Sequence, residues 1–211
     1  MNKHIEQPLN KYLDALAAKI PSPGGGSAAA LVASTGVSLL CMVANFTIGK
    51  KGYEEHQPEI KSILAKLESN RLKLNELIDK DTYVYEKVSV AYKLAKNTDE
   101  KKTQRELSIQ AALKEAISVP FEIIEISINS IPEAHKLVKM GNRNLISDIS
   151  CGMFFLKSAI EAARDNVTIN LNSVSDKSFV NKKKDATESS INNIFPEIDK
   201  IINSVNAILN T

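Results

Sequence analysis

The chain has 211 residues, with 27 Lys and Arg against 25 Asp and Glu, a formal charge of +2. That balance excludes a protein held on nucleic acid by a broad basic face. A hydrophobic share of 43% with 25% charged residues excludes a disordered chain, because enough apolar surface is available to offset the entropy of ordering.

The chain reads as one domain over residues 1–211. Cys41 and Cys151 sit in apolar segments without zinc or disulfide spacing, and MNKHIEQPLNKYLD at the start lacks the apolar core of a signal peptide. A reducing cytoplasm is the expected compartment. Tryptophan is absent, and the many alanines, leucines, isoleucines and lysines favour helices over sheets.

Leu9, Tyr12, Leu13, Leu16, Ala17 and Ile20 fall at helical spacing, predicting an amphipathic helix that ends at Pro21. A second helix is expected from about Ser27 to Ile48. It is uncharged throughout and long enough to cross a bilayer, yet it carries Ser34, Thr35, Gly36, Ser38, Asn45 and Thr47. With amphipathic helices around it, it reads as a central core helix and not a membrane span. Gly26, Ala30, Ser34 and Ser38 recur every four residues, giving a face without bulk that lets another helix approach.

A third, unusually long helix starts after Pro58, and NTDEKK forms the break before a fourth. Pro120 is expected to kink that helix or start a new one, and a short helix is expected from Pro132 to Gly141. Asn144 to about Ser175 forms another long helix, and Lys177 to the end closes the chain. The fold class is all-α, a compact bundle of long helices.

Three glycines, Gly24, Gly25 and Gly26, open the second helix behind Pro21 and Pro23. They can adopt positive φ and bare their N–H groups at a helix N-terminus, which favours anions or carbonyl oxygens. The plainer reading is a tight turn with Ser27 as cap. Asp81 lies within the stripe of Leu77, Ile78, Val84 and Tyr85, and Asp148 shares a face with Leu145, Ile149, Gly152, Phe155 and Leu156. A carboxylate among apolar residues needs a partner, a raised pKa or both. Two of them, if the bundle brings them together, mark a polar core site. Asp79 points elsewhere and is expected at the surface, as are His4, His56 and His135, which lack metal spacing. Lys50, Lys51 and Tyr53 follow the second helix, where lysines suit the helix dipole or could clamp a ligand carboxylate.

PSPGGGSAAALVAS, MVANFTIGKKGYE, LIDKDTYVYEKV, AALKEAISVPFEI and GNRNLISDISCGMFFLKSAIEAARDNVTINL together resemble the cyclodeaminase/cyclohydrolase family of folate enzymes. The resemblance implies an all-helical subunit in a symmetric homodimer that acts on the methenyl bridge of a tetrahydrofolate substrate, without cofactor, metal, nucleic acid or membrane. The expected activity is methenyltetrahydrofolate cyclohydrolase, with formimidoyltetrahydrofolate cyclodeaminase as the alternative. A non-catalytic helical scaffold or membrane-associated adaptor is the more distant one. On that resemblance Asp148 and Asp81 are the candidate acid–base groups. Gly24, Gly25, Gly26 and Ser27 would cradle the ligand, Asn142 and Asn45 would hydrogen-bond it, and Lys50 or Lys51, beside Tyr53, would meet the glutamate tail.

Overall fold

A computed structural model describes residues 3–211. Six helices carry the fold: α1 (Leu9–Ala17), α2 (Gly25–Asn45), α3 (Gln57–Lys93), α4 (Asp99–Met140), α5 (Ile146–Leu171) and α6 (Lys177–Leu209). Single 3-10 turns precede α1, α3 and α5. The all-α expectation holds.

Helix α2 runs through the middle, against α5 and α3 with α4 also in reach, while α6 covers α5 and α4. Ala30, Ala33, Val37, Leu40 and Val43 of α2 are fully buried, since an uncharged helix gains most by being surrounded. The bulk-free face does admit another helix. Asp81 of α3 comes in over Gly26, and Ser34 donates to Asn75 of α3 at 2.6 Å. On the next side Gly36 meets α5 at Gly152, where each glycine's missing Cβ would stand 3.0 Å from the other's carbonyl oxygen.

The burial of α2 is incomplete, however. Leu31, Val32, Thr35, Leu39, Met42 and Phe46 recur at helical spacing and stay half-buried or exposed, an apolar stripe the subunit leaves uncovered. Phe155 of α5, which borders Gly36, is 40% exposed beside it. Helix α1 is looser still. Tyr12 is its one buried side chain, while Leu9 and Leu13 are 61% and 50% exposed.

Two expectations are corrected. Of the two alternatives for Pro120 the start of a new helix is overturned, and no separate short helix follows Pro132, because α4 runs through both prolines and is capped by Gly141. Each proline forfeits one backbone bond, and burial of Ile117, Val119, Ile123, Ile124 and Ile131 outweighs that loss. Helix α2 also starts earlier than expected, with Gly24 at the N-cap and Ser27 inside the first turn, so Ser27 is not the cap.

Candidate active site

The glycine triplet owes its place to close approach and not to backbone conformation. Among the described residues positive φ occurs only at Gly49 and Gly52 of the loop after α2, and Gly24 is extended. A Cβ on Gly26 would run into the Asp81 carboxyl group, 2.7 Å from its Cγ. A Cβ on Gly25 would stand 3.3 Å from Nδ2 of Asn166 on α5. At Gly24 nothing lies within 4 Å, and the space is open. Two side chains from two helices therefore press onto two of the three glycines, and the third faces a cavity.

That cavity, about 310 Å³, is floored by the glycines and walled by Asp81, Val84, Tyr85 and Val88 of α3, Ala116 of α4, and Asn166, Ile169 and Asn170 of α5. Pro21 and Ser22 form its rim. Asp81 Oδ2 accepts from Ser27 N–H at 2.9 Å, the orphan-donor geometry of a first helical turn. Burial pushes the Asp81 carboxyl above the usual carboxylate range, and the Ser27 N–H partly opposes it. Asp81 thus combines access to a cavity with a raised proton affinity, as proton transfer near neutral pH requires. Asn166 Nδ2 donates to Ala162 O at 2.7 Å, which fixes its carboxamide against the cavity wall.

The remaining sequence candidates lie elsewhere. From Gly25 to Asn45 helix α2 spans about 30 Å at 1.5 Å per residue, and Asn45, Lys50, Lys51, Tyr53 and Asn142 all sit at its far end. Asp148, in the first turn of α5, is about 27 Å from Asn166 along the same helix. One subunit therefore does not bring Asp148 and Asp81 together.

At the far end Asn142 binds the loop after α2. Its N–H donates to Thr47 Oγ1 at 2.9 Å, its Nδ2 to Phe46 O at 3.4 Å, and its Oδ1 accepts from Asn144 N–H. Tyr53 OH accepts from Arg143 N–H at 3.1 Å. Asn45 lines a separate shallow cavity with Cys41, Glu68 and Arg71, where burial pushes the Cys41 thiol up to about 12. Among the described residues no group of three or more His, Cys, Asp or Glu is gathered as a metal would need.

Two surface expectations also change. Asp79 accepts from His4 N–H, and His4 is half-buried with its ring edge-on to Tyr12. Sequence reasoning missed Tyr12, whose hydroxyl meets Ser27 Oγ at 3.1 Å, and gave Asn166 and Asn170 no role. Their signal was faint: two carboxamides four residues apart at the end of α5, beside buried Val167 and Leu171.

Fold and site define a class: an all-helical protein with a glycine-floored cavity at one helix N-terminus and a half-buried carboxylate over it. The family described as formiminotransferase-cyclodeaminase matches residues 8–189, and the chain belongs to it. It is 37% identical to a methenyltetrahydrofolate cyclohydrolase of Methylorubrum extorquens, over 83% of this chain and 84% of that one. It is 27% identical to the formimidoyltransferase-cyclodeaminase of Rattus norvegicus over 96% of this chain, which spans 38% of the rat protein. The crystal structure of formiminotetrahydrofolate cyclodeaminase from Thermotoga maritima superposes with a TM-score of 0.81 at 33% identity, covering 95% of this chain and 98% of that one.

Proposed function

We infer that this chain is a methenyltetrahydrofolate cyclohydrolase of one-carbon metabolism, acting in the cytoplasm. The observation that carries the reading is Asp81, held over Gly26 with a raised proton affinity at the wall of the cavity. The likeness to the Methylorubrum extorquens cyclohydrolase over most of both chains supports it.

The substrate is a cationic amidinium whose bridging carbon joins N5 and N10. The Asp81 carboxylate offsets that charge, and the cation in turn lowers the carboxyl pKa from its value in the empty cavity. Water adds to the bridging carbon while Asp81 takes one of its protons. The proton then passes from Asp81 to N5 as the N5–carbon bond breaks. The carbinol O–H proton leaves for solvent as the carbonyl of 10-formyltetrahydrofolate forms. Asn166 and the Gly24–Gly26 backbone position the ligand. The hydrolysis asks for no cofactor beyond water.

The uncovered stripe of α2 supports a homodimer. Two copies crossing antiparallel near Thr35 would bury Leu31, Val32, Leu39 and Met42 of each against the other. That crossing would also set the Asp148 end of one copy beside the glycine end of its partner. Asp148, Lys50 and Lys51 would then serve the partner's cavity, the lysines facing the glutamate tail.

A second reading, formimidoyltetrahydrofolate cyclodeaminase, is favoured by the likeness to the Thermotoga maritima structure. It uses the same tetrahedral carbon, with ammonia departing in place of N5. The methenyl chromophore separates the two. Enzyme-accelerated loss from methenyltetrahydrofolate is the expected result. Enzyme-dependent appearance from 5-formiminotetrahydrofolate would instead establish the cyclodeaminase, and no signal above the uncatalysed rate from either would overturn both.

A further inference from the structure

One buried contact next to Asp81, outside the cavity lining, has no part in the proton-transfer scheme. Helix α1 packs poorly, yet it buries Tyr12 to 3% exposure and sets the phenol hydroxyl 3.1 Å from Ser27 Oγ. Ser27 is itself fully buried, and its own N–H donates to Asp81 Oδ2. A χ1 rotation between staggered wells can bring a serine hydroxyl, a donor in its own right, to the same side of the residue as its N–H and so towards the carboxylate that N–H meets. Here the hydroxyl is turned to Tyr12 instead, and among the described residues the N–H of Ser27 is the one donor to Asp81.

We propose that Tyr12 is a positioning residue for Asp81: it holds the Ser27 hydroxyl off the carboxylate, so that one carboxylate oxygen stays free of protein donors and open to the proton of the attacking water. This rests on the reading of Asp81 as the proton-transfer group.

The surroundings suit such a device. Helix α2 brings no charged group to Asp81, and α4 and α5 reach the cavity through Ala116, Asn166, Ile169 and Asn170. Among the described residues the titratable neighbours are Tyr85 and Asp79 of α3, with His4 and Tyr12 of the N-terminal segment. Asp79 accepts from the His4 backbone, and burial pushes the Tyr12 phenol up, so Tyr12 works as a neutral hydroxyl. With so few charges at hand, one extra hydrogen-bond donor is a large perturbation of the carboxyl group.

The test follows the carboxyl carbon of Asp81 by NMR in protein labelled with 13C-aspartate, the signal being assigned from its loss in Asp81→Asn. In Tyr12→Phe the ring and its packing remain while Ser27 Oγ is released onto the carboxylate. The Asp81 titration should move down by roughly one pH unit. In Tyr12→Phe/Ser27→Ala it should return to the wild-type position, and in Ser27→Ala alone it should not move. An unshifted titration in Tyr12→Phe overturns the proposal, and so does a shift that persists in the double variant. So would a rise in Ser27→Ala, which would show the hydroxyl already on the carboxylate; that arm stands even if Tyr12→Phe fails to fold. The pH profile of kcat, measured in parallel, should follow the NMR titration. If the titrations move as stated and the kcat profile does not follow, Tyr12 still positions Asp81, and it is Asp81 as proton-transfer group that falls.

Discussion

The two ends of α2 hold similar inventories of polar residues and use them in opposite ways. At the far end the Asn142 side chain, the Thr47 and Tyr53 hydroxyls and the Arg143 N–H bond one another and the backbone, so a loop is fastened. At the near end Asp81 and Asn166 are pressed against glycines with polar atoms left at a cavity wall. Residue type alone does not separate the two. What does is whether the polar atoms are already consumed, which depends on how closely the helices approach.

The largest effect that could break this contrast lies at Asp81. Asp81→Asn should lose about 10²–10⁴-fold in kcat while gaining stability at neutral pH. The folded protein keeps the Asp81 proton above its ordinary 3.8, so between that pH and the raised value the folded state binds more protons than the unfolded. The group's contribution to stability therefore falls as pH rises through that window. Thermal melts should show the variant above wild type at pH 7, with the difference closing towards pH 4; a variant less stable at pH 7 would contradict the burial argument.

Asp148→Asn comes next, with kcat expected to drop about tenfold or more if the carboxylate serves the partner's cavity. Mixing and refolding Asp148→Asn with Asp81→Asn should then recover activity that neither has alone, since mixed dimers hold one complete site. No recovery would leave the far end as a fastening and nothing else.

The triplet supplies an internal scale. Gly26→Ala should be crippled, Gly25→Ala reduced roughly three- to tenfold as Asn166 gives way, and Gly24→Ala near wild type, in line with the clearance at each. Equal losses at all three would mean that backbone freedom matters there and not approach. A small effect on turnover is also expected at Thr47→Val, which leaves the buried Asn142 N–H without its acceptor. It should lower stability by about 1–3 kcal/mol in urea unfolding, with kcat changed less than threefold.

Much of this could be read in the sequence. The uncharged run of α2, the amphipathic stripes around it and the aspartate inside the Leu77–Tyr85 stripe gave the bundle and one half of the site. Continuity of α4 through Pro120 and Pro132 could not be read, because a proline's local cost is visible in sequence and the packing that outweighs it is not. The separation of Asp148 from Asp81 was hidden for a related reason. Both obey the same helical pattern, and periodicity says which face a residue takes, not at what height along the bundle. Tyr12 was readable only as an apolar position, since its role lies in where its hydroxyl points.

The order of the helices along the chain carries a consequence for synthesis. Helix α2, the helix least able to stand in water, ends at Asn45, while α5, its main cover, ends at Leu171. At roughly 5–20 residues per second, translation leaves α2 without that cover for about 6–25 s. The α2–α5 pairing is also a contact between distant parts of the sequence, which slows folding. During that interval the nascent chain offers a helix that chaperones and targeting factors can bind, so the yield of folded protein should depend on how fast α5 follows it out of the ribosome.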